Sequence, residues 1–314
     1  MNTSLFPPLP PRRADPKALI GIAATGFMTA LILVVLAVIL GTVVLQGFPA
    51  LSWRFVSTIP KKDFFNVESA AVLPMIIGTT IRVLVMTVFV MPVGVITAVY
   101  LTEYARPGSV YTRIIRTAIN NLAGVPSIVF GLFGLGFFIN FVGVNLDRLT
   151  GAVGPNLGQP SVLWASLTLA VMTLPVVIVA TEESLRAITP GLRDASMALG
   201  ATRLQTILRI VLPNALPGIL TGGILAISRA AGEVAPILFT GAAYYMADLP
   251  RRLTDQFMDL GYHTYVLATQ SPNIERTTPI LYATVLVLLL LTFSLNAVAI
   301  VVRARLHRAW RAAP

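Results

Sequence analysis

Asp194-Ala-Ser-Met-Ala-Leu-Gly-Ala-Thr-Arg-Leu-Gln-Thr-Ile-Leu-Arg-Ile-Val-Leu-Pro213 is a polar, amphipathic stretch set between two strongly apolar segments. Arg193 stands directly before it, and Arg203 and Arg209 lie within it. Everything around it is written for lipid. Of 314 residues, 56% are hydrophobic and 11% charged, whereas soluble domains carry about 25% charged residues. Several apolar runs reach the length of about 18 residues that a membrane-spanning helix requires. The expected fold class is all-α, a polytopic membrane protein with six transmembrane helices.

Working outward from the insert, the fourth span covers about Ser161 to Ala180 and the fifth about Ala215 to Gly241, with the polar segment 182–213 between them. The sixth covers about Thr278 to Val302, the third about Ile114 to Val142, the second about Val72 to Leu101 and the first about Ala18 to Leu45. The first run is too long for the core of a cleavable signal peptide, so it is read as an uncleaved helix. The third contains Pro126 and the glycines 124, 131, 134 and 136; membrane helices tolerate both residue types, and small residues let helices approach closely. Four units follow: a proline-rich arm (1–17), a first helix with its outer loop (18–71), a core transmembrane domain (72–302) carrying the insert, and a basic tail (303–314). In the outer loop, Trp53 and Phe55 suit the bilayer interface. Pro107-Gly108 is a turn signal after the second span.

Six spans put both termini on one side. Fourteen lysines and arginines fall on the side of the arm, the insert and the tail, against seven on the other. Positive residues favour the cytoplasm, so that side, with both termini, is expected there, in a bacterial inner membrane. The net charge of +10 is accounted for by this orientation, and no basic stripe with interleaved aromatics suggests nucleic acid. There is no cysteine, which excludes disulfides, thiolate catalysis and zinc–thiolate sites. His263 and His307, the two histidines, are expected to be solvated rather than metal-bound. No G-x-x-x-x-G-K-[S/T] loop is present, so the chain is not expected to bind or hydrolyse ATP. Ser127 has no histidine partner in sight, and no catalytic constellation is found.

Within the insert, Arg193 to Leu199 reads as a short helix with Ala195, Ala198 and Leu199 on its apolar face. After Gly200, Thr202 is a candidate N-cap, and Leu204, Ile207, Leu208 and Val211 recur at helical spacing. Such a pair of helices either presents an apolar edge to a soluble protein or packs on its own bundle. The spacing resembles the EAA loop of ABC-importer permeases: Asp194-Ala195-Ser196, three residues, Gly200, nine residues, then Ile210-Val-Leu-Pro213. Asp194 stands where that loop usually has glutamate, and Ser196 where it has alanine. Further segments narrow the resemblance to phosphate-importing permeases of the PstA type. They are Leu101-Thr-Glu-Tyr-Ala-Arg106, Val125-Pro-Ser-Ile-Val-Phe-Gly-Leu-Phe133, Leu174-Pro175 with Thr181-Glu182, and Arg229-Ala-Ala-Gly-Glu-Val-Ala-Pro-Ile-Leu-Phe-Thr240. The resemblance covers about residues 72 to 240.

What it implies is an ABC type-1 importer permease. Asp194, Ala195, Ser196, Gly200, Ile210 and Pro213 would dock a cytoplasmic ATPase. The implied partners are a second permease of the PstC type, two ATP-binding cassette subunits of the PstB type and an external phosphate-binding protein of the PstS type, besides membrane lipid. ATP and magnesium would be bound by the ATPase, with no cofactor in this chain.

Four charged residues, three within the spans and one at the close of the fourth, are candidates for the substrate pathway. Arg229 and Glu233 are one turn apart on the fifth span. They suit an anion step, because a guanidinium donates two hydrogen bonds to phosphate oxygens; a structural ion pair fits the spacing as well. Arg82 either faces the pathway or snorkels to the surface. Glu182 either lines the inner exit or simply ends the fourth span. Phosphate permeases often carry arginine three residues before this glutamate, where this chain has Val179, and Arg82 is a candidate to compensate. The same machine carrying sulfate or molybdate is the nearest alternative function. A proton-coupled secondary transporter using Glu233 is a more distant one.

Overall fold

The computed structural model describes residues 16–312 apart from 61–64, 67, 107, 152, 153, 155 and 247. The arm up to residue 15, Lys61, Lys62 and Asp63 of the outer loop, and Pro107 lie outside the described residues, as does the side chain of His307. Among the described residues the chain is helical, with a single isolated bridge, Ala242 to Phe257, and no strand. Six helices of the described residues are long and apolar enough to cross a membrane: Leu19–Ala50, Leu73–Tyr104, Ser127–Thr150, Val162–Arg186, Arg203–Gly232 and Ile274–Leu306.

The fourth span is the centre of the bundle. Its apolar residues are enclosed on nearly every side (Val162, Ala165, Leu169 and Val177 are fully buried), and the second and fifth spans pack along it. Small residues set those crossings. A side chain at Gly94 would strike Val177, and one at Gly222 would meet Ala180. Alignment follows from these pairs: Arg82 lies beside Ser166 and Gly94 beside Val177, so the second and fourth spans run the same way. The first span is peripheral, touching the sixth where Gly47 meets the backbone of Tyr282, and it is otherwise an exposed apolar rod.

The third crossing differs from the continuous helix expected between Ile114 and Val142. Val110–Ala123 forms one helix, the chain leaves helical geometry at Gly124-Val125-Pro126, and a second helix starts at Ser127. Pro126 has no N–H to give and disfavours helix in the residue before it. The two pieces still traverse the bundle antiparallel to the fourth span. Arg116 reaches Glu182, Leu122 and Val125 lie beside Val171, Gly134 faces Thr168, and Phe138 stacks on Trp164.

The fifth span is also shifted. It begins at Arg203, inside the segment read as insert, and ends at Gly232, nine residues before the expected Gly241. A π-helical stretch, Ile207–Val211, carries the helix from the insert into the membrane segment. Beyond Gly232 the chain turns into a hairpin containing the short helix Ile237–Thr240, and then into the helix Leu260–Thr269. This hairpin closes the far end of the bundle, opposite the insert. Thr240, Asp255 and Leu253 carbonyls accept from the N–H groups of Ser161, Val162 and Leu163, three donors that the first turn of a helix leaves without intrahelical partners.

Candidate functional site

Three groups of charged side chains lie along the bundle, and each is held by elements that meet at a helix end. The first is at the far-end break of the fifth span. Arg229 lies in its last turn, and Glu233 caps it in extended conformation. Their side chains approach to 3.5 Å (Nε to Oε1) while keeping 44% and 22% of their surface. The pair therefore forms as the spacing suggests, but across the end of a helix rather than along its face. A contact this long and open contributes little to stability, within about 0–1 kcal/mol, and leaves the guanidinium fork available to a ligand. The register with Arg82 and Ser166 puts it toward the far end of the bundle, not midway.

Directly beneath that break sits Arg82, completely buried. It neither snorkels nor lines open space within this chain. Nη1 donates to Ala230 O at 2.9 Å and Nη2 to Ala231 O at 3.4 Å, which satisfies carbonyls that the end of the fifth span leaves open. Nη2 also pairs with Asp259 at 2.8 Å, both side chains having no exposed surface. Asp259 in turn accepts from Thr79 Oγ1 (2.9 Å) and from the N–H groups of Gly261 (2.9 Å) and Tyr262 (3.1 Å), capping the helix Leu260–Thr269. A buried pair survives only when its remaining hydrogen-bonding capacity is used, and here nearly all of it is; Arg82 Nε alone lacks a partner. The cluster ties the second span, the fifth-span terminus and the returning hairpin together immediately behind Arg229. Asp259 was not distinguishable in the sequence from other loop aspartates. The one available signal was a buried arginine that required a carboxylate.

His263, expected to be solvated, is buried in the same returning helix. Desolvation lowers its pKa to about 3, so it is held as neutral imidazole. The helix carries it inward because Leu260, Val266 and Leu267 pack into the core beneath the hairpin.

The second group is at the insert end. Glu182 accepts from Arg116 Nη1 at 2.7 Å and from Arg186 Nη2 at 3.2 Å. Arg116 also donates to Leu101 O at 3.2 Å. One carboxylate thus joins the insert-side half of the third crossing to the fourth span. Arg82 is engaged elsewhere, and the partners of Glu182 are Arg116 and Arg186, neither of which the sequence reading singled out.

The third group is the insert. Pro190–Ala198 and the helix beginning at Arg203 meet at Gly200, whose φ of +89° is the left-handed conformation that favours glycine. Gly200 N donates to Met197 O and Ala201 N to Ser196 O, closing the first helix. Thr202 caps the second through a capping box with Gln205, and the hydroxyls of Ser196 and Thr206 join the two at 2.9 Å. The apolar stripe divides. Ile207 and Val211 are buried on the bundle, whereas Leu204, Leu208, Met197 and Leu199 are exposed, Leu199 at 90%. Asp194 and Ala195 share that exposed side, while Ile210 and Pro213 are half-buried at the root of the fifth span.

Glu103 fastens this platform to the second span. Arg193 donates to Glu103 Oε1 from Nη2 (2.8 Å) and Nε (3.2 Å), and to the carbonyls of Ile188 and Leu185. Arg203 donates to the Glu103 carbonyl and lies over the Tyr104 ring at 5.2 Å. One arginine on each side of Gly200 is therefore bolted to the same residue.

Residues 90–311 match the family model for the binding-protein-dependent transport system inner membrane component. The probable ABC transporter permease protein YqgI of Bacillus subtilis (strain 168) is 33% identical over 68% of this chain and 67% of its own length. The phosphate transport system permease protein PstA of Mycobacterium leprae (strain TN) is 36% identical over 68% of this chain and 65% of that protein. PstA 1 of Mycobacterium tuberculosis (strain ATCC 25618 / H37Rv) is 40% identical over 51% and 47%, respectively. The chain thus spans about half to two thirds of the length of these relatives. Among solved structures, a bacterial alginate ABC transporter in complex with alginate pentasaccharide-bound periplasmic protein superposes with a TM-score of 0.65 at 16% identity, over 93% of this chain and 96% of that one, a likeness of fold.

Proposed function

The chain belongs to the binding-protein-dependent transport system inner membrane component family, and from that membership we propose that it is the transmembrane subunit of an ATP-driven importer of inorganic phosphate. The observation that carries the reading is the open Arg229–Glu233 pair at the broken end of the fifth span. The half-exposed guanidinium at this break can donate paired hydrogen bonds to an anion, and its charge outweighs the negative end of the helix that carries it. Glu233 keeps the guanidinium oriented and limits how tightly the anion stays, as transport requires release. The phosphate cargo is supported by the PstA relatives.

The insert end faces the cytoplasm in this reading, with both termini. The exposed Leu199, Leu204 and Leu208 form the dock for an ATPase subunit, together with Asp194 and Ala195. Gly200 sets the angle between its two helices, Ser196 locks that angle through Thr206, and Ile210 and Pro213 root the platform in the fifth span. Closure of two ATPases, which hold the ATP and magnesium, would push this platform. Because Arg193 and Arg203 bind Glu103, the push reaches the second and fifth spans together, and alternating access follows from their movement as one body. A second permease of the PstC type completes the pathway, and a PstS-type binding protein delivers phosphate to the far end. Glu182, paired with Arg116, stands at the inner exit.

Labelled-phosphate uptake in cells with and without the chain tests this, with sulfate and molybdate as competitors. Loss of uptake on deletion and in an Arg229→Gln variant is expected, with phosphate the effective competitor. Unchanged phosphate uptake in the deletion strain rejects the proposal, and competition by sulfate or molybdate in place of phosphate reassigns the cargo.

A further inference from the structure

At the insert end, an open cleft of about 630 Å³ lies between the last turn of the second span, the helix Val110–Ala123 and the end of the fourth span. Its charged lining is Arg113, Arg116 and Arg186, with Thr102, Thr112 and Asn120 beside them and no carboxylate among the lining residues. Glu182, just behind it, is shared by Arg116 and Arg186. Three guanidiniums thus answer to one carboxylate, leaving a surplus of two positive charges. Arg113 makes no ion pair among the described residues. The Thr102 hydroxyl is buried and lacks a hydrogen-bond partner, although it lines the cleft. A surplus of positive charge, an unused donor and several further hydroxyls at one place are the requirements of a tetrahedral oxyanion.

We propose that this cleft is an anion site separate from Arg229, taking a phosphoryl group. Arg113 supplies the guanidinium that no protein carboxylate occupies. Arg116 and Arg186 turn their remaining N–H groups to the ligand, and Thr102 donates from below. Two sources present this chemistry at this depth. One is free phosphate leaving the pathway at the insert end, which rests on the function proposed above. The other is the headgroup of an anionic phospholipid, for which the exposed Val110, Tyr111 and Ile114 offer an adjoining apolar surface.

The experiment uses the full-length chain in the complex it forms in its own membrane, carrying Arg229→Gln and reconstituted in phosphatidylcholine nanodiscs with and without phosphatidylglycerol. Inorganic phosphate binding is read by equilibrium dialysis, and phosphatidylglycerol retained through delipidation by mass spectrometry. Saturable phosphate binding that weakens about tenfold or more in Arg113→Gln, the equivalent of one charge-assisted hydrogen bond, and returns in Arg113→Lys assigns the site to free phosphate. Phosphatidylglycerol retained by the parent and lost in Arg113→Gln assigns it to the headgroup. Thr102→Val lowers whichever signal is seen. If neither phosphate nor phosphatidylglycerol responds to Arg113→Gln, the proposal is overturned. Uptake through Arg229 is measured separately, so failure of the transport reading leaves this binding result standing, and the reverse holds too.

Discussion

Replacing Arg82 with methionine keeps much of the side-chain volume but removes the charge that Asp259 faces. Both side chains are completely buried at 2.8 Å, so no water replaces the lost partner. Removing one member of a buried, hydrogen-bonded pair costs about 3–5 kcal/mol, because the other charge stays behind unpaired. The carbonyls of Ala230 and Ala231 lose their donors as well, within the same total. At about 2–4 °C per kcal/mol for a chain of roughly this size, the thermal midpoint falls by roughly 6–20 °C. The assay is thermal loss of the monodisperse peak of the detergent-solubilised chain in size-exclusion chromatography. A double variant, Arg82→Met with Asp259→Leu, removes both charges and recovers much of the loss, since an apolar replacement of a buried pair is often neutral. Equal melting of Arg82→Met and the parent would refute the clamp, and so would a double variant as unstable as the two single losses combined.

Further outcomes follow from other parts of the molecule. Gly200→Val forces a β-branched residue to a φ of +89°; nothing crowds the position, so the strain of about 1–2 kcal/mol or more is backbone strain, and co-purification of the ATPase falls while membrane insertion is retained. Arg193→Ala removes the tie to the Glu103 carboxylate and leaves only the Arg203–carbonyl contact; in the proposed importer the ATPase then still binds and hydrolyses ATP while phosphate uptake drops, measured on one vesicle preparation. In Gly78→Ala the new Cβ would lie 2.1 Å from Met258 O; moving the hairpin costs about 1–3 kcal/mol, read as a lower thermal midpoint. His263 has its folded pKa depressed from 6.5 to about 3. Its stabilising contribution is therefore complete above pH 6.5 and is lost as pH falls toward 3, by up to about 1.4 kcal/mol per pH unit; His263→Phe flattens the dependence of the midpoint on pH across that window.

Much of this molecule is legible in its residues because the bilayer imposes a length. Six crossings, and the two helices of the insert meeting at Gly200, follow from apolar run length, a glycine and a capping threonine. The places where the reading slipped are those where hydropathy is silent about geometry. Gly232 to Gly241 is as apolar as the helix before it, yet Pro236 and the hairpin contacts with Ser161 and Val162 bend it away. Pro126 is visible as a residue, but whether it kinks or breaks a helix depends on the neighbour that takes up the freed backbone. Arg82 illustrates the limit most clearly. Its partner lies in a segment with three aspartates, and nothing in spacing selects Asp259; only the return of the Leu260–Thr269 helix against Thr79 does. Likewise, Glu103 reads as a helix-end acid until Arg193 and Arg203 converge on it.

The buried clamp also has a history in time. Asp259 is made 177 residues after Arg82, roughly 9–35 s later at synthesis rates of about 5–20 residues per second. Throughout that interval the second span must hold a bare arginine, at a cost of up to about 2.5–3.5 kcal/mol, the insertion-scale value for a helix centre. The strongly apolar residues on either side of Arg82 carry it through. Completion of the hairpin then neutralises it, and a chain truncated before residue 259 would keep an unpaired charge inside the bundle.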